Sequence, residues 1–100
     1  MNHNLVIQPE AEFDIEDAFK WYESQNTGLG SEFVRAVDVC LSGIGRNPLA
    51  YQVIHEQVRK ALIRRFPYII LYIFDEDRDT VFVLACFHAK RNPKQWLDRI

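Results

Sequence analysis

VRKALIRRFPYIILYIFDEDRDTVFVLACF, residues 58–87, contains three apolar runs and two breaks. Tyr68–Phe74 and Val81–Phe87 are continuous and rich in β-branched and aromatic residues, the composition of buried strands. The polar link Asp75-Glu76-Asp77-Arg78-Asp79 between them is short enough for a hairpin. Upstream, Val58 to Arg65 reads as a third strand, broken by Phe66-Pro67. Alternation places Arg59, Ala61, Ile63 and Arg65 on one side and Val58, Lys60, Leu62 and Arg64 on the other. Tyr68 and Tyr72 share a face, with an inward, core-filling tyrosine as the default. The stretch predicts a three-stranded antiparallel meander.

Before Tyr51 the period is helical. Phe33, Val34, Val37, Cys40, Leu41 and Ile44 recur at three- and four-residue spacing until Gly45 and Pro48 stop the pattern. Ala11, Ile15, Ala18, Phe19 and Tyr22 form another stripe, predicting a helix from about Pro9 to Ser24. Pro9 suits a first helical turn, and Glu10, Glu12 and Asp14 sit where the helix dipole favours acids. Asn26-Thr27-Gly28-Leu29-Gly30 is a turn, so the helices should fold back as an antiparallel hairpin. Leu5-Val6-Ile7 predicts a short N-terminal strand. At the other end, Asn92-Pro93-Lys94-Gln95-Trp96-Leu97 fits a short C-terminal helix. The whole is one α+β domain spanning residues 1–100.

With 48% apolar residues and 13% aromatics, the chain can bury a single core. A formal net charge of -2 excludes a protein that coats nucleic acid through bulk charge. That average conceals an acidic first helix, a basic segment at Arg59, Lys60, Arg64 and Arg65, and a basic ending at Lys90, Arg91, Lys94 and Arg99. The acidic helix face serves solubility or pairs with basic residues of the sheet. Trp21 and Trp96 are expected to pack. Cys40 and Cys86 lie in apolar runs and read as small buried hydrophobes, with no zinc-ligand spacing. No metal or cofactor is expected. The N-terminus lacks signal-peptide character and no run has the ~20 apolar residues of a membrane span, so a reduced, cytoplasmic protein is expected.

The joints of this order carry a resemblance. Gly28-Leu29-Gly30-Ser31-Glu32-Phe33, then Arg64-Arg65-Phe66-Pro67-Tyr68 running into Ile70-Leu71-Tyr72, then Cys86-Phe87-His88-Ala89-Lys90-Arg91-Asn92-Pro93-Lys94-Gln95-Trp96 together resemble the RelE/ParE superfamily of toxins. The resemblance implies a toxin of a type II toxin–antitoxin (plasmid-stabilisation) system, complexed and neutralised by a cognate antitoxin encoded beside it. RelE-like members cut mRNA in the ribosomal A site; ParE-like members poison DNA gyrase and need no chemistry of their own.

Metal-free RNA cleavage needs a group to activate the 2′-OH, an acid for the leaving oxygen and cations for the phosphate. Under the RelE-like reading those groups are Arg59, Lys60, His88 and Arg91. Such nucleases usually carry an arginine just before the apolar-apolar-Tyr element of the middle strand, where this chain has Ile69. A C-terminal tyrosine is also missing, and Trp96 is neither acid nor base. These departures favour the ParE-like branch. Arg59, Lys60, Arg64, Arg65, His88, Lys90, Arg91 and Trp96 are then candidates for binding target or antitoxin. His88 can equally be a strand-end histidine bonded to backbone. An acidic or amphipathic antitoxin segment is expected over Arg59, Lys60 and Arg65, with apolar anchors against the helix hairpin. A decayed toxin that only binds antitoxin is the remaining alternative.

Overall fold

A computed structural model describes residues 2–91. Its elements are β1 (Asn4–Ile7), α1 (Pro9–Gln25), α2 (Leu29–Arg46), β2 (Gln52–His55), β3 (Val58–Leu62), β4 (Tyr68–Asp75) and β5 (Thr80–His88). The strands form one sheet in the order β1-β5-β4-β3-β2. β1 runs parallel to β5, and the other neighbours are antiparallel. The α+β class, the helix hairpin and the β4–β5 hairpin follow the sequence pattern. The expected C-terminal helix lies outside the described residues.

Three details differ, each for a physical reason. The meander has a fourth strand, β2, whose residues are mostly exposed at the sheet edge and so carry no apolar alternation. β3 ends at Leu62, and Arg64 and Arg65 lie in the turn that follows. Arg65 sits at φ 71°, a left-handed conformation that no strand residue adopts. Finally, Leu29 and Gly30 belong to α2, because Glu23 reaches across from α1 to start that helix. Its carboxylate accepts the N–H groups of Gly28 and Gly30, each at 3.0 Å, satisfying donors that a helix start leaves orphaned. Gly30 is also a close-approach point: a Cβ there would come within 2.8 Å of the Phe19 carbonyl oxygen.

Both helices lie against one face of the sheet. Phe33, Val37, Ile44, Ala11 and Ala18 meet Ile70, Tyr72, Val81 and Val83 in the main core. Phe33 is fully buried, with its ring centroid 5.3, 5.3 and 5.2 Å from those of Tyr22, Phe66 and Tyr68. The Tyr72 hydroxyl donates to the Pro48 carbonyl at 2.6 Å, which keeps its polar end satisfied inside the core. The far face holds a smaller cluster, Val58, Leu71, Ala85 and Phe87, that includes no helix residue.

β5 contains a bulge. Leu71 pairs with Ala85 but its neighbour Tyr72 pairs with Val83, so Leu84 is the extra residue. β1 covers the outer edge of β5 only from Thr80 to Val83. Beyond that point α1 takes over, and the Asp14 carboxylate accepts the Cys86 N–H at 3.0 Å. Asp14→Ala would leave that part-buried N–H without its carboxylate, and should cost about 1–3 kcal/mol in urea denaturation. An unchanged midpoint would show that the edge needs no such acceptor.

Cys86 is buried and Cys40 half-buried, both as free thiols. Burial pushes the Cys40 thiol up to about 11 and the Cys86 thiol up to about 12, with Asp14 adding to the latter. The unfolded chain ionises these thiols near 9.0, so above that pH it holds fewer protons than the native state. Stability from this source is complete below 9.0 and is lost as pH rises through 11 and 12. A Cys40→Ala/Cys86→Ala double variant should lose less stability over that window in urea titrations than the native sequence does.

Candidate functional site

The basic segment that looks continuous in sequence is divided three ways by the fold. Arg59 shares the helix face of β3 with Ala61, and its guanidinium donates to the carbonyls of Tyr51 at 2.7 Å and Leu49 at 3.2 Å. It is a strut for the loop between α2 and β2. Lys60 points to the far face, where it borders a shallow concavity of about 300 Å³. Arg64 and Arg65 project from the β3–β4 turn beside α2 and border a separate groove of about 340 Å³.

The far-face concavity has an apolar floor of Ile54, Ile69 and Phe87, with Lys60, His88 and Arg91 around it. Arg91 lies over the Phe87 ring at 4.8 Å, a cation–π contact that fixes a charge at the rim. His88 pairs with Tyr68 across the strands, and their ring centroids are 5.3 Å apart in an edge-to-face arrangement. Since Tyr68 belongs to the helix-side core, His88 is turned to that side at the very end of the sheet. Its Nδ1 accepts the Lys90 N–H at 3.1 Å, which leaves Nε2 as the ring's remaining polar atom. Lys90 itself is exposed, and Trp96 lies outside the described residues.

The same strand end borders a second, smaller recess of about 210 Å³ containing Asp14, Trp21, Tyr68, His88 and Arg91. Burial raises the Tyr68 hydroxyl pKa above its ordinary range, with Arg91 acting in the opposite direction. Trp21, expected to pack, is 56% exposed, although it keeps an edge contact with Tyr22. It sits one residue ahead of the buried Tyr22, so it lies beside the α1 stripe.

Lys60 and Arg91 are therefore brought to the far-face concavity, which His88 borders from the end of the sheet with its ring turned to the helix side; Arg59, Arg64 and Arg65 lie elsewhere. Sequence reasoning missed Arg35 and Val39, which border the Arg64–Arg65 groove from α2. Their four-residue spacing, off the apolar stripe of that helix, was the available signal.

Comparison with known proteins places this geometry. Residues 5–93 match the family model for the ParE toxin of the type II toxin–antitoxin system parDE. The chain belongs to the ParE toxin family. It is thus a toxin of the RelE/ParE superfamily of type II toxin–antitoxin systems. No curated protein matches it in sequence. Solved structures similar to this ParE-family chain share its fold at low identity. The isolated E. coli RelE toxin has a TM-score of 0.67 at 18% identity, covering 97% of each chain. The RelBE2 toxin–antitoxin complex of Mycobacterium tuberculosis gives 0.64 at 18%, over 88% of this chain and 99% of the other. The chromosomal ParDE system of P. aeruginosa gives 0.65 at 12%, over 88% and 97%. No helix among the described residues is long and apolar enough to cross a membrane.

Proposed function

We propose that this ParE-family toxin acts by binding a protein, DNA gyrase, in the ParE manner, and is neutralised by an antitoxin encoded beside it. One observation carries the reading. The concavity edged by the cations of Lys60 and Arg91 has Ile69 and Phe87 as its floor. An apolar floor inside a cationic rim suits partner side chains, since interface hot spots are desolvated apolar pockets edged by polar groups. It suits a scissile phosphate poorly, because no cation rises from the middle strand at Ile69. Arg59, the fourth candidate for RNA chemistry, is occupied by two loop carbonyls.

Ribosome-dependent mRNA cleavage in the RelE manner is the second reading, and it rests on Lys60, His88 and Arg91 sharing one concavity. Induction of the toxin without antitoxin separates the two. Gyrase poisoning should give trapped gyrase–DNA cleavage complexes and filamentous cells with mRNA intact. Ribosomal mRNA cut at the A site, with no DNA breaks, overturns the proposal. Absence of any growth arrest would point to a decayed toxin that retains only antitoxin binding.

A further inference from the structure

The two ends of the sheet carry opposite charge. The β4–β5 ladder runs from the Tyr68–His88 pair at one end to the Asp75–Thr80 pair at the other. At the Tyr68 end stand Arg64 and Arg65 on the β3–β4 turn and Lys90 after β5, all exposed. The Ala89 N–H donates to the Pro67 carbonyl at 2.7 Å, which fastens these two segments to each other. At the Asp75 end stand Glu76 and Asp77 on the β4–β5 turn and Glu56 on the β2–β3 turn, again exposed. Arg64, Arg65, Lys90, Glu76 and Asp77 take part in no ion pair among the described residues.

The acidic end is also hollow. A concavity of about 600 Å³ lies there, against about 300 Å³ for the one on the far face. Glu56, Glu76 and Asp77 border it, together with Leu49 and Val53, which are 52% and 47% exposed. Arg59 borders it too, but its guanidinium is bound to the Tyr51 and Leu49 carbonyls. A recess both apolar and anionic suits an arginine side chain. Its methylenes can lie on Leu49 and Val53 while its guanidinium meets the carboxylates.

We infer that the Arg64–Arg65 turn of one copy of this chain docks in the acidic concavity of a second copy, joining molecules head to tail. Charge and rigidity select this occupant. The turn presents its two arginines on a support fixed by Phe66, whose ring meets those of Tyr22 and Phe33 edge-on at 5.0 and 5.3 Å. Little ordering entropy is therefore lost on docking. The eight residues of β4 hold the two ends roughly 25 Å apart, so a chain cannot fill its own concavity. A net charge of -2 opposes association only weakly. The two surfaces differ, so the contact is heterologous: each added molecule leaves one end open, and copies add in a row. A contact this small is weak and sensitive to salt. Neither the target nor the antitoxin takes part in it.

Sedimentation equilibrium of the full chain, at low and at high salt, tests the contact. At low salt the mean mass should climb past the dimer as concentration rises, and high salt should return it to the monomer. Arg64→Gln/Arg65→Gln neutralises one end and Glu76→Gln/Asp77→Asn the other. Each variant alone should associate at least about 10-fold more weakly, as loss of close charge pairs across an interface does. All four positions are exposed, and melting curves establish that both variants fold. Mixed together, the two variants should form a one-to-one dimer and stop there, because each supplies the end that the other lacks. A native chain that stays monomeric at low salt overturns the inference. So does association that both variants retain, or a mixture no heavier than its components. If a tetra-arginine peptide binds the native chain but not Glu76→Gln/Asp77→Asn, while the chain itself stays monomeric, the concavity serves a foreign basic partner and the second copy is excluded.

Discussion

Truncating Phe33 to alanine is expected to destabilise the fold by about 3–5 kcal/mol, the range for deleting a buried aromatic side chain. For a domain of this size that is a large share of the ~5–15 kcal/mol that separates folded from unfolded. Phe33 is fully buried, and its ring meets Tyr22 from α1, Phe66 from the β3–β4 turn and Tyr68 from β4. One side chain thus joins three parts of the molecule, and the cavity left behind could not be closed from any one of them. Urea denaturation followed by circular dichroism measures the loss. A decrease below about 1 kcal/mol would mean that the surrounding rings collapse into the space. The turn that carries Arg64 and Arg65 should loosen together with the core, since Phe66 loses one of its aromatic supports.

The second large effect concerns action on the target. Lys60→Glu combined with Arg91→Glu should reduce inhibition of gyrase supercoiling at least about 100-fold, because charges lost from an interface cost about 2–5 kcal/mol. Stability should change little: Arg91 gives up a cation–π contact with Phe87 worth about 0.5–1 kcal/mol at an exposed position. A double variant that inhibits gyrase as well as the native toxin would remove the far-face concavity from the target interface. Arg59→Ala should behave in the opposite way, lowering thermal stability through the freed Tyr51 and Leu49 carbonyls.

Local patterns reveal much of this fold and less of its site. The helices were legible because each buries a stripe at helical spacing, and β4 and β5 because apolar residues line both their faces. β2 was not, since an exposed edge strand needs no apolar alternation, and Gln52, Val53 and His55 show none of it. The early end of β3 was hidden for another reason. The run of apolar and basic residues continues smoothly through Arg65, and only the distant aromatic partners of Phe66 require the chain to turn there. Arg59 could be assigned to a face but not to a role, because its acceptors are backbone carbonyls that any residue could supply. Ile69, by contrast, was informative from sequence alone: an apolar residue at the middle of the meander remains apolar whatever surrounds it.

The extra residue in β5 decides how the ending of the chain must be compared across relatives. Strict alternation counted from Val81 would put Val83, Ala85 and Phe87 on the core side and send His88 outward beside Lys60. With Leu84 absorbed by the bulge, the count shifts by one and His88 stands over Tyr68 instead. A relative one residue shorter at this point would have a regular strand and still present its last residues on the same sides. A relative of equal length without the bulge would present them inverted. Aligned letters at position 88 therefore do not establish equivalent histidines until the strand's residue count is known.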